Sequence, residues 1–247
     1  MTETWDFYAL RVEDKPASIF VDLGVEARTP VSELSHLAYV RLQMNQPRAD
    51  GLSSQEEFDS LVAVEHALEA HLCGERTGYV GRCTSDGCRD FYFYTSEPGS
   101  WEQQVAAALA EFGTYRYEMG TQKDADWSTY TNFLLPGEVD RQRIQNRRAC
   151  ETLERNGDSL LIEREIDHWS YFPSETASQA YIQEVVELGY RVRTTSTTES
   201  GSLPFRVQVW RSDVPSYALI DETALSLFEA AQRHQGEYDG WECPVKA

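Results

Sequence analysis

Basic side chains are scarce in this 247-residue sequence, which has 22 Lys and Arg against 41 Asp and Glu and a formal net charge of -19. Residues 1–137 hold 22 acids and 10 bases (net -12), and residues 138–247 hold 19 acids and 12 bases (net -7). A surface of this sign repels phosphate backbones, so we expect neither part to bind nucleic acid directly. Two interpretations of the charge remain: solubility, or a preference for basic protein partners.

Long apolar runs are also missing, since no stretch of about 18 apolar residues occurs. The first residues, MTETWDFYALRVEDK, lack the basic start and apolar centre of a secretory signal. These absences predict a cytoplasmic protein without a membrane partner. Five cysteines are an odd number in a chain too large to need disulfide staples, so we expect reduced thiols. They are Cys73, Cys83, Cys88, Cys150 and Cys243.

Catalytic motifs are absent as well, because the sequence contains no Walker, G-x-S-x-G or G-x-G-x-x-G pattern. His168 beside Asp167 is a candidate acid–base pair. Adjacent residues of a strand point to opposite faces, however, so a structural histidine is the simpler interpretation. We expect no enzyme activity and no cofactor.

Two further patterns resemble binding sites only weakly. Cys83 and Cys88, with Cys73 and His71, imitate a zinc site, but a second pair at matched spacing is missing. We therefore expect no metal, and a cross-strand thiol pair is the alternative. The aromatic run 91–94 is similar to strands that stack RNA bases, but no cluster of Lys or Arg accompanies it, so a half-buried strand is the better interpretation.

Glycines and turn residues divide the chain into helices and strands. Five glycines mark predicted helix ends: Gly74, Gly113, Gly157, Gly189 and Gly236. The predicted helices start at Ser53 or Ser54, Ser100, Glu138, Glu175 and Ser216. Strand patterns between them give the order β-α-β-β-α-β in both halves. The prediction is an α+β protein with two ferredoxin-like (βαββαβ) domains, 1–137 and 138–247, the second with an extra leading helix.

Two segments of the second half carry a family resemblance: 167–172, Asp-His-Trp-Ser-Tyr-Phe, and 236–242, Gly-Glu-Tyr-Asp-Gly-Trp-Glu. With Gly157 and Asp158 they resemble the signature of the RraB family, the regulators of ribonuclease E activity, over about residues 140–245. The resemblance implies a bacterial, ferredoxin-like inhibitor without a cofactor. It also implies a protein partner, the basic C-terminal scaffold region of a ribonuclease E, and an effect on RNA degradation.

The first half resembles a bacterial family of unknown function, family 695, that is often fused ahead of RraB-like domains. The residues that carry the likeness are Trp5, Asp50 to Leu52, Tyr79 to Arg82, Phe91 to Tyr94, Trp127 and Tyr130. This resemblance implies no activity. The fused arrangement differs from that of the short regulator, which leaves the target of this chain open.

Strand alternation predicts where a partner would bind on the second half. A ferredoxin-like sheet has helices on one face, and alternate residues of each strand point to the other. Carboxylates and indoles on that face suit an arginine-rich segment. The candidate protein-binding residues are Glu165, Asp167, His168, Trp169, Trp210, Glu237, Asp239, Trp241 and Glu242. Three structural alternatives stand beside this hypothesis: cross-strand ion pairs, Trp241 as core filling, and Asp239 as part of a bulge or turn.

The leading functional hypothesis is a non-catalytic, protein-binding regulator of a ribonuclease E-type endoribonuclease. The alternative is a small-molecule sensor or an enzyme with an unrecognised site in the cleft between the domains. A third possibility is a homo-oligomer that pairs its open sheets.

Overall fold

The computed structural model describes residues 4–198 and 201–246, and the chain forms two compact units, Met1–Gly137 and Glu138–Ala247. Each unit contains one antiparallel sheet and α-helices. The predicted fold class, α+β with two ferredoxin-like units and a leading helix in the second, is confirmed. None of the described helices is long and apolar enough to span a bilayer.

The described residues of the first unit, 4–137, form six strands and two α-helices. They are β1 (Trp5–Val12), β2 (Lys15–Asp22), β3 (His36–Gln43), α1 (Phe58–Leu72), β4 (Thr77–Ser85), β5 (Cys88–Thr95), α2 (Trp101–Ala108) and β6 (Arg116–Lys123). The sheet order is β1-β2-β4-β5-β3-β6. Strands β3 to β6 therefore form the ferredoxin-like core, and the β1–β2 hairpin extends the sheet beyond β4.

Helix α1 packs on this sheet with the face that its sequence predicts. Its buried residues include Leu61, Val64, Leu68 and Leu72, spaced at three or four residues. The helix begins at Phe58 rather than at the predicted serines. Half of the predicted capping box is present, since Ser54 Oγ accepts the Glu57 N–H at 3.3 Å. The Glu57 carboxylate instead accepts the backbone N–H groups of residues 45 and 46, both at 2.7 Å.

The hairpin between β4 and β5 forms as predicted, with Asp86 and Gly87 at φ of 51° and 74°. Its register places Cys83 opposite Asp90 and Cys88 opposite residue 85. The two thiols are free and are not directly opposite each other, so the alternative interpretation, a cross-strand thiol pair, does not hold. Within the described ranges, no three His, Cys, Asp or Glu side chains converge where a metal ion would be held.

In the described part of the second unit, 138–198 and 201–246, there are three α-helices and four strands. They are α3 (Glu138–Arg155), β7 (Arg164–Phe172), α4 (Glu175–Glu187), β8 (Arg191–Thr197), β9 (Phe205–Asp213), α5 (Tyr217–Arg233) and β10 (Glu237–Glu242). The sheet order is β10-β7-β9-β8. Strand β7 therefore lies between β9 and the edge strand β10, as the predicted topology requires.

Strand β7 starts at Arg164, later than the predicted start at Ser159. The intervening residues turn instead, because the Asp158 carboxylate accepts the Leu160 N–H at 2.8 Å and Leu160 has a φ of 58°. Arg164 breaks the apolar pattern of the strand, yet it is 3% exposed. Its guanidinium donates to the Asp158 carboxylate at 2.8 Å, so the residue that interrupts the apolar pattern is one member of a buried ion pair.

We expect residues 138–247 to fold when expressed alone. The buried clusters of this unit draw only on residues from 138 onward, so a truncated chain keeps its core. The check is cooperative urea unfolding of the fragment with a native near-ultraviolet circular dichroism spectrum. A fragment that binds a hydrophobic dye and lacks that spectrum would contradict the prediction.

Candidate functional site

Alternate residues of β7 and β9 lie on the face of the second sheet opposite its buried core, here called the open face. On β7, Glu165, Asp167, Trp169 and Tyr171 are exposed or half-buried, whereas the residues between them are buried. The register with β9 completes the face. The cross-strand pairs are Asp167 with Trp210, Trp169 with Gln208, and Tyr171 with Arg206.

Two of the predicted site carboxylates are engaged within the chain. Arg193 donates from Nη2 to Glu165 Oε2 at 2.6 Å and from Nε to Asp167 Oδ1 at 2.5 Å. Gln208 adds a hydrogen bond to the same Asp167 oxygen at 3.0 Å. For these two acids the structure contains the cross-strand ion pairs that were the alternative interpretation, and the single positive charge of Arg193 compensates half of their negative charge.

Trp210 likewise has cationic neighbours from its own chain. The guanidinium carbons of Arg191 and Arg193 lie 5.3 and 4.9 Å from the centroid of its ring. Contacts of this kind are stabilising because the face of an indole is electron-rich. The indole of Trp210 thus makes cation–π contacts with two arginines of β8 on the open face.

His168 is not a surface residue, so the prediction that it belongs to the binding site is wrong. Its side chain is 0% exposed and faces the core, because it lies between two open-face residues of β7. The ring Nδ1 lies 2.8 Å from the Tyr238 hydroxyl. Burial, with a smaller contribution from Arg211, lowers the pKa of His168 to about 3, so the imidazole is neutral. It cannot contact a partner.

Strand β10 contains a bulge at Asp239. Tyr238 pairs with Ser170 and Gly240 pairs with Trp169, which leaves Asp239 as the extra residue. Gly240 has a φ of 134°, a conformation that side chains with a Cβ rarely adopt. The alternative interpretation of Asp239 as a bulge residue is therefore correct.

The bulge reverses the face on which Trp241 lies. Trp241 is opposite His168, so it points to the core side of the sheet, where it packs against buried clusters. Its Nε1 donates to Asn146 Oδ1 on α3 at 3.0 Å. Trp241 is half-buried and joins α3 to β10, which agrees with its interpretation as core filling.

Gly236, the first residue of the second sequence motif, is fixed by a close approach. A Cβ placed on it would lie 2.3 Å from Phe172 Cε1 and 2.7 Å from the Tyr171 carbonyl oxygen. Several motif residues thus have structural roles: Gly236 and Gly240 shape β10, and Tyr238 contacts His168.

The acidic edge is the name used here for Glu237, Asp239 and Glu242 on β10. In the described part of the chain, these three side chains make no hydrogen bond or ion pair, and each is exposed. Glu237 lies opposite Tyr171, and Glu242 lies opposite Asp167 on the open face. Among the described site residues, the carboxylates without an ion-pair partner therefore lie on the edge strand.

A groove of about 590 Å³ runs beside the acidic edge. Helix α3 lines one side, Trp169, Tyr171 and Arg206 line another, and β10 contributes Asp239 to Glu242. Two donors of residues that line this groove, Trp169 Nε1 and Arg206 Nε, are shielded from solvent and have no hydrogen-bond partner among the described residues. Unsatisfied buried donors are uncommon, and an incoming acceptor would satisfy them.

Sequence reasoning missed part of this groove. Strand alternation alone places Arg206 on the open face. The sequence does not show, however, that its Nε lacks a hydrogen-bond partner among the described residues. Gln142 and Asn146 of α3 are 4% and 1% exposed and hydrogen-bond to each other at 2.9 Å. Polar residues on a helix resemble a solvated face, so no sequence signal indicates that they are buried.

Comparisons with known proteins assign each unit to a family. Residues 3–135 match the family described as a family of unknown function (DUF695), and residues 143–243 match the family described as Regulator of ribonuclease activity B. The solved structure of an unknown protein from Galdieria sulphuraria covers 83% of this chain and 96% of its own, at 10% identity and a TM-score of 0.22.

A second solved structure, of a protein assigned as a glycine cleavage system transcriptional repressor, covers 85% of this chain and 98% of its own. The identity is 8% and the TM-score is 0.27. Similarities at these scores support no conclusion on function. No curated protein matches the chain.

Proposed function

Because the chain belongs to the DUF695 family and its second unit matches the regulators of ribonuclease activity B, we propose that it is a non-catalytic regulator of a ribonuclease E-type endoribonuclease. The second unit is the binding module. The partner segment is the basic C-terminal scaffold region of that nuclease, and binding there modulates RNA degradation.

The observation that carries this proposal is the acidic edge beside the groove. Three carboxylates without partners, on a unit with a net charge of -7, attract a basic segment and speed its association. The unsatisfied N–H groups of Trp169 and Arg206 require acceptors, which the carbonyl groups of an extended peptide supply. A lysine- or arginine-rich extended peptide offers both features.

The proposed docking residues differ from those predicted from the sequence. Trp169, Glu237, Asp239 and Glu242 remain, and Arg206 is added. Glu165, Asp167 and Trp210 form an ion-pair and stacking network with arginines of β8, His168 is buried, and Trp241 positions α3.

Charge reversal at the acidic edge tests the proposal. We expect Glu237→Lys with Glu242→Lys to weaken binding to the basic region of a ribonuclease E by about 10- to 100-fold, mainly through slower association. The free energy of unfolding should change by less than about 0.5 kcal/mol, because both side chains are exposed. Surface plasmon resonance at two salt concentrations measures the rates and their screening.

The matched control is Glu187→Lys with Glu222→Lys, which makes the same change in net charge at exposed positions on α4 and α5. Binding by this control should stay within about twofold of the parent chain. An equal loss of affinity in both variants would mean that the overall negative charge, and not the acidic edge, attracts the partner. Failure of the parent chain to bind would refute the proposed partner.

A second variant isolates the unsatisfied donors. Trp169→Phe keeps an aromatic ring but removes the Nε1–H, so we expect about tenfold faster dissociation of the complex. Stability should stay equal or rise by about 1 kcal/mol, because an unpaired buried donor is removed. Urea unfolding and dissociation rates are the two measurements. A variant that dissociates at the parent rate would show that the partner does not use this donor.

A further inference from the structure

The β1–β2 hairpin of the first unit carries aromatic rings beyond the core strands. Trp5 pairs with Asp22, and Phe7 pairs with Phe20. The indole of Trp5 stacks on Phe20 and on Tyr79 of β4, with centroid distances of 4.8 and 5.2 Å and interplanar angles of 26° and 28°. Phe7 keeps 49% of its surface exposed. An aromatic surface therefore continues the sheet next to α1.

A pocket of about 460 Å³ lies between this aromatic surface and α1. Trp5 and Tyr79 line it from the sheet, and Glu69 and Cys73 line it from the helix and its C-terminal end. Asp22 also lines the pocket. His66 lines it as well, so the pocket combines two electron-rich rings with two carboxylates and one imidazole.

The two carboxylates differ in what they already bind. Asp22 accepts hydrogen bonds from the Gly24 N–H at 2.8 Å and the Thr4 hydroxyl at 3.0 Å. Glu69 is half-buried, and in the described ranges its carboxylate makes no hydrogen bond or ion pair. Burial, together with the negative charge of Glu65, raises the pKa of Glu69, and smaller contributions from His66 and Arg82 lower it. Glu69 therefore lies in the pocket as a half-buried carboxylate without a direct ion-pair partner among the described residues.

We propose that this pocket binds an organic cation, an alkylammonium or guanidinium group that contacts the rings of Trp5 and Tyr79 and pairs with Glu69. Aromatic faces attract such cations, and one carboxylate supplies the opposite charge. Magnesium or calcium needs more oxygen ligands than this pocket offers. Anions are disfavoured by a unit with a net charge of -12. The site is in the first unit, so it is independent of the regulator function proposed for the second.

The test is isothermal titration calorimetry of the full chain with choline and with its neutral isostere, 3,3-dimethylbutan-1-ol. The two probes have the same shape, so their difference reports the charge. We expect choline to bind at least about tenfold more tightly than the alcohol. Equal binding of the two, or no binding of any cationic probe, would overturn the proposal.

Glu69→Gln should weaken choline binding about tenfold, because it removes the paired charge with little change of shape. Glu75→Gln is the matched control: it removes the same charge from an exposed position just after α1 that does not line the pocket. Binding by this control should stay within about twofold. An equal loss in both variants would point to the general acidic field and would refute the site.

Two more probes distinguish the sources of such a cation. Nα-acetyl-arginine amide and Nα-acetyl-lysine amide represent side chains of a protein, and choline represents a free metabolite. Tighter binding of the amides than of choline would assign the pocket to a peptide ligand, and the opposite order would assign it to a small amine.

Discussion

Replacement of Asp158 by alanine is expected to lower the free energy of unfolding of the second unit by about 3–5 kcal/mol. The side chains of Asp158 and Arg164 are 0% and 1% exposed, so the variant leaves a buried guanidinium without its counter-charge. Asp158 also accepts the backbone N–H of Lys246 at 2.7 Å, and Arg164 donates to the Pro244 carbonyl at 2.9 Å. One ion pair thus joins the start of β7 to the segment after β10.

Urea unfolding of the full chain at pH 7 measures this effect. The control is Asp213→Ala, which breaks a more exposed pair with Arg211 and should cost no more than about 1 kcal/mol. The double variant Asp158→Ala with Arg164→Met should recover part of the loss, because it removes the unpaired buried charge. A loss below about 1 kcal/mol in the single variant would show that the pair is not needed for stability.

The contribution of the Asp158–Arg164 ion pair to the free energy of unfolding depends on pH. Hydrogen bonds from Arg164 hold the pKa of Asp158 well below its usual range. A carboxylate with a lowered pKa stabilises the folded state above its unfolded pKa of about 3.9, and this contribution disappears as the pH falls below that value. The pair therefore contributes fully at neutral pH and at pH 5.

The second large effect is a loss of stability near pH 5 that depends on His168. Burial lowers the pKa of this histidine to about 3 in the folded state, whereas an unfolded histidine titrates near about 6.5. Below pH 6.5 the unfolded chain binds a proton that the folded chain does not, so acid favours unfolding. At pH 5 the expected loss relative to pH 7.5 is about 2 kcal/mol.

Urea unfolding of the parent chain and of His168→Gln at pH 7.5 and pH 5 measures the contribution. The variant is expected to be less stable at pH 7.5, because it loses the contact with Tyr238, but its stability should fall less between the two pH values. His66→Gln, which changes an exposed histidine of the first unit, should keep the parent dependence. If His168→Gln also keeps it, another group causes the acid sensitivity.

The sequence alone was enough to predict the architecture. Apolar spacing of three or four residues marked the helices, alternation marked the strands, and glycines marked most helix ends. The order β-α-β-β-α-β, with right-handed and short connections, allows few arrangements of a sheet, and the strands β3 to β6 and β7 to β10 have the ferredoxin-like one. The position of the β1–β2 hairpin beyond β4 was not predicted. These signals depend only on residues that are close in sequence, so they can be recognised without knowing which distant parts of the chain are in contact.

The candidate site was predicted only in part. Parity along β7 and β9 correctly placed Asp167, Trp169 and Trp210 on the open face. It failed on β10, because the bulge at Asp239 adds one residue and moves Trp241 to the core side. A second bulge, between residues 192 and 194 of β8, accompanies the ion pairs of Arg193 with Glu165 and Asp167.

The sequence by itself therefore determined the elements, their order and the parity of regular strands. Only the tertiary structure decided which charges are compensated and which donors lack a partner. Trp241 meets Asn146 across 95 residues, and Arg164 meets Pro244 across 80. The physical reason is that hydrogen bonds and ion pairs form between groups a few ångströms apart in space, and separation along the chain does not report that distance.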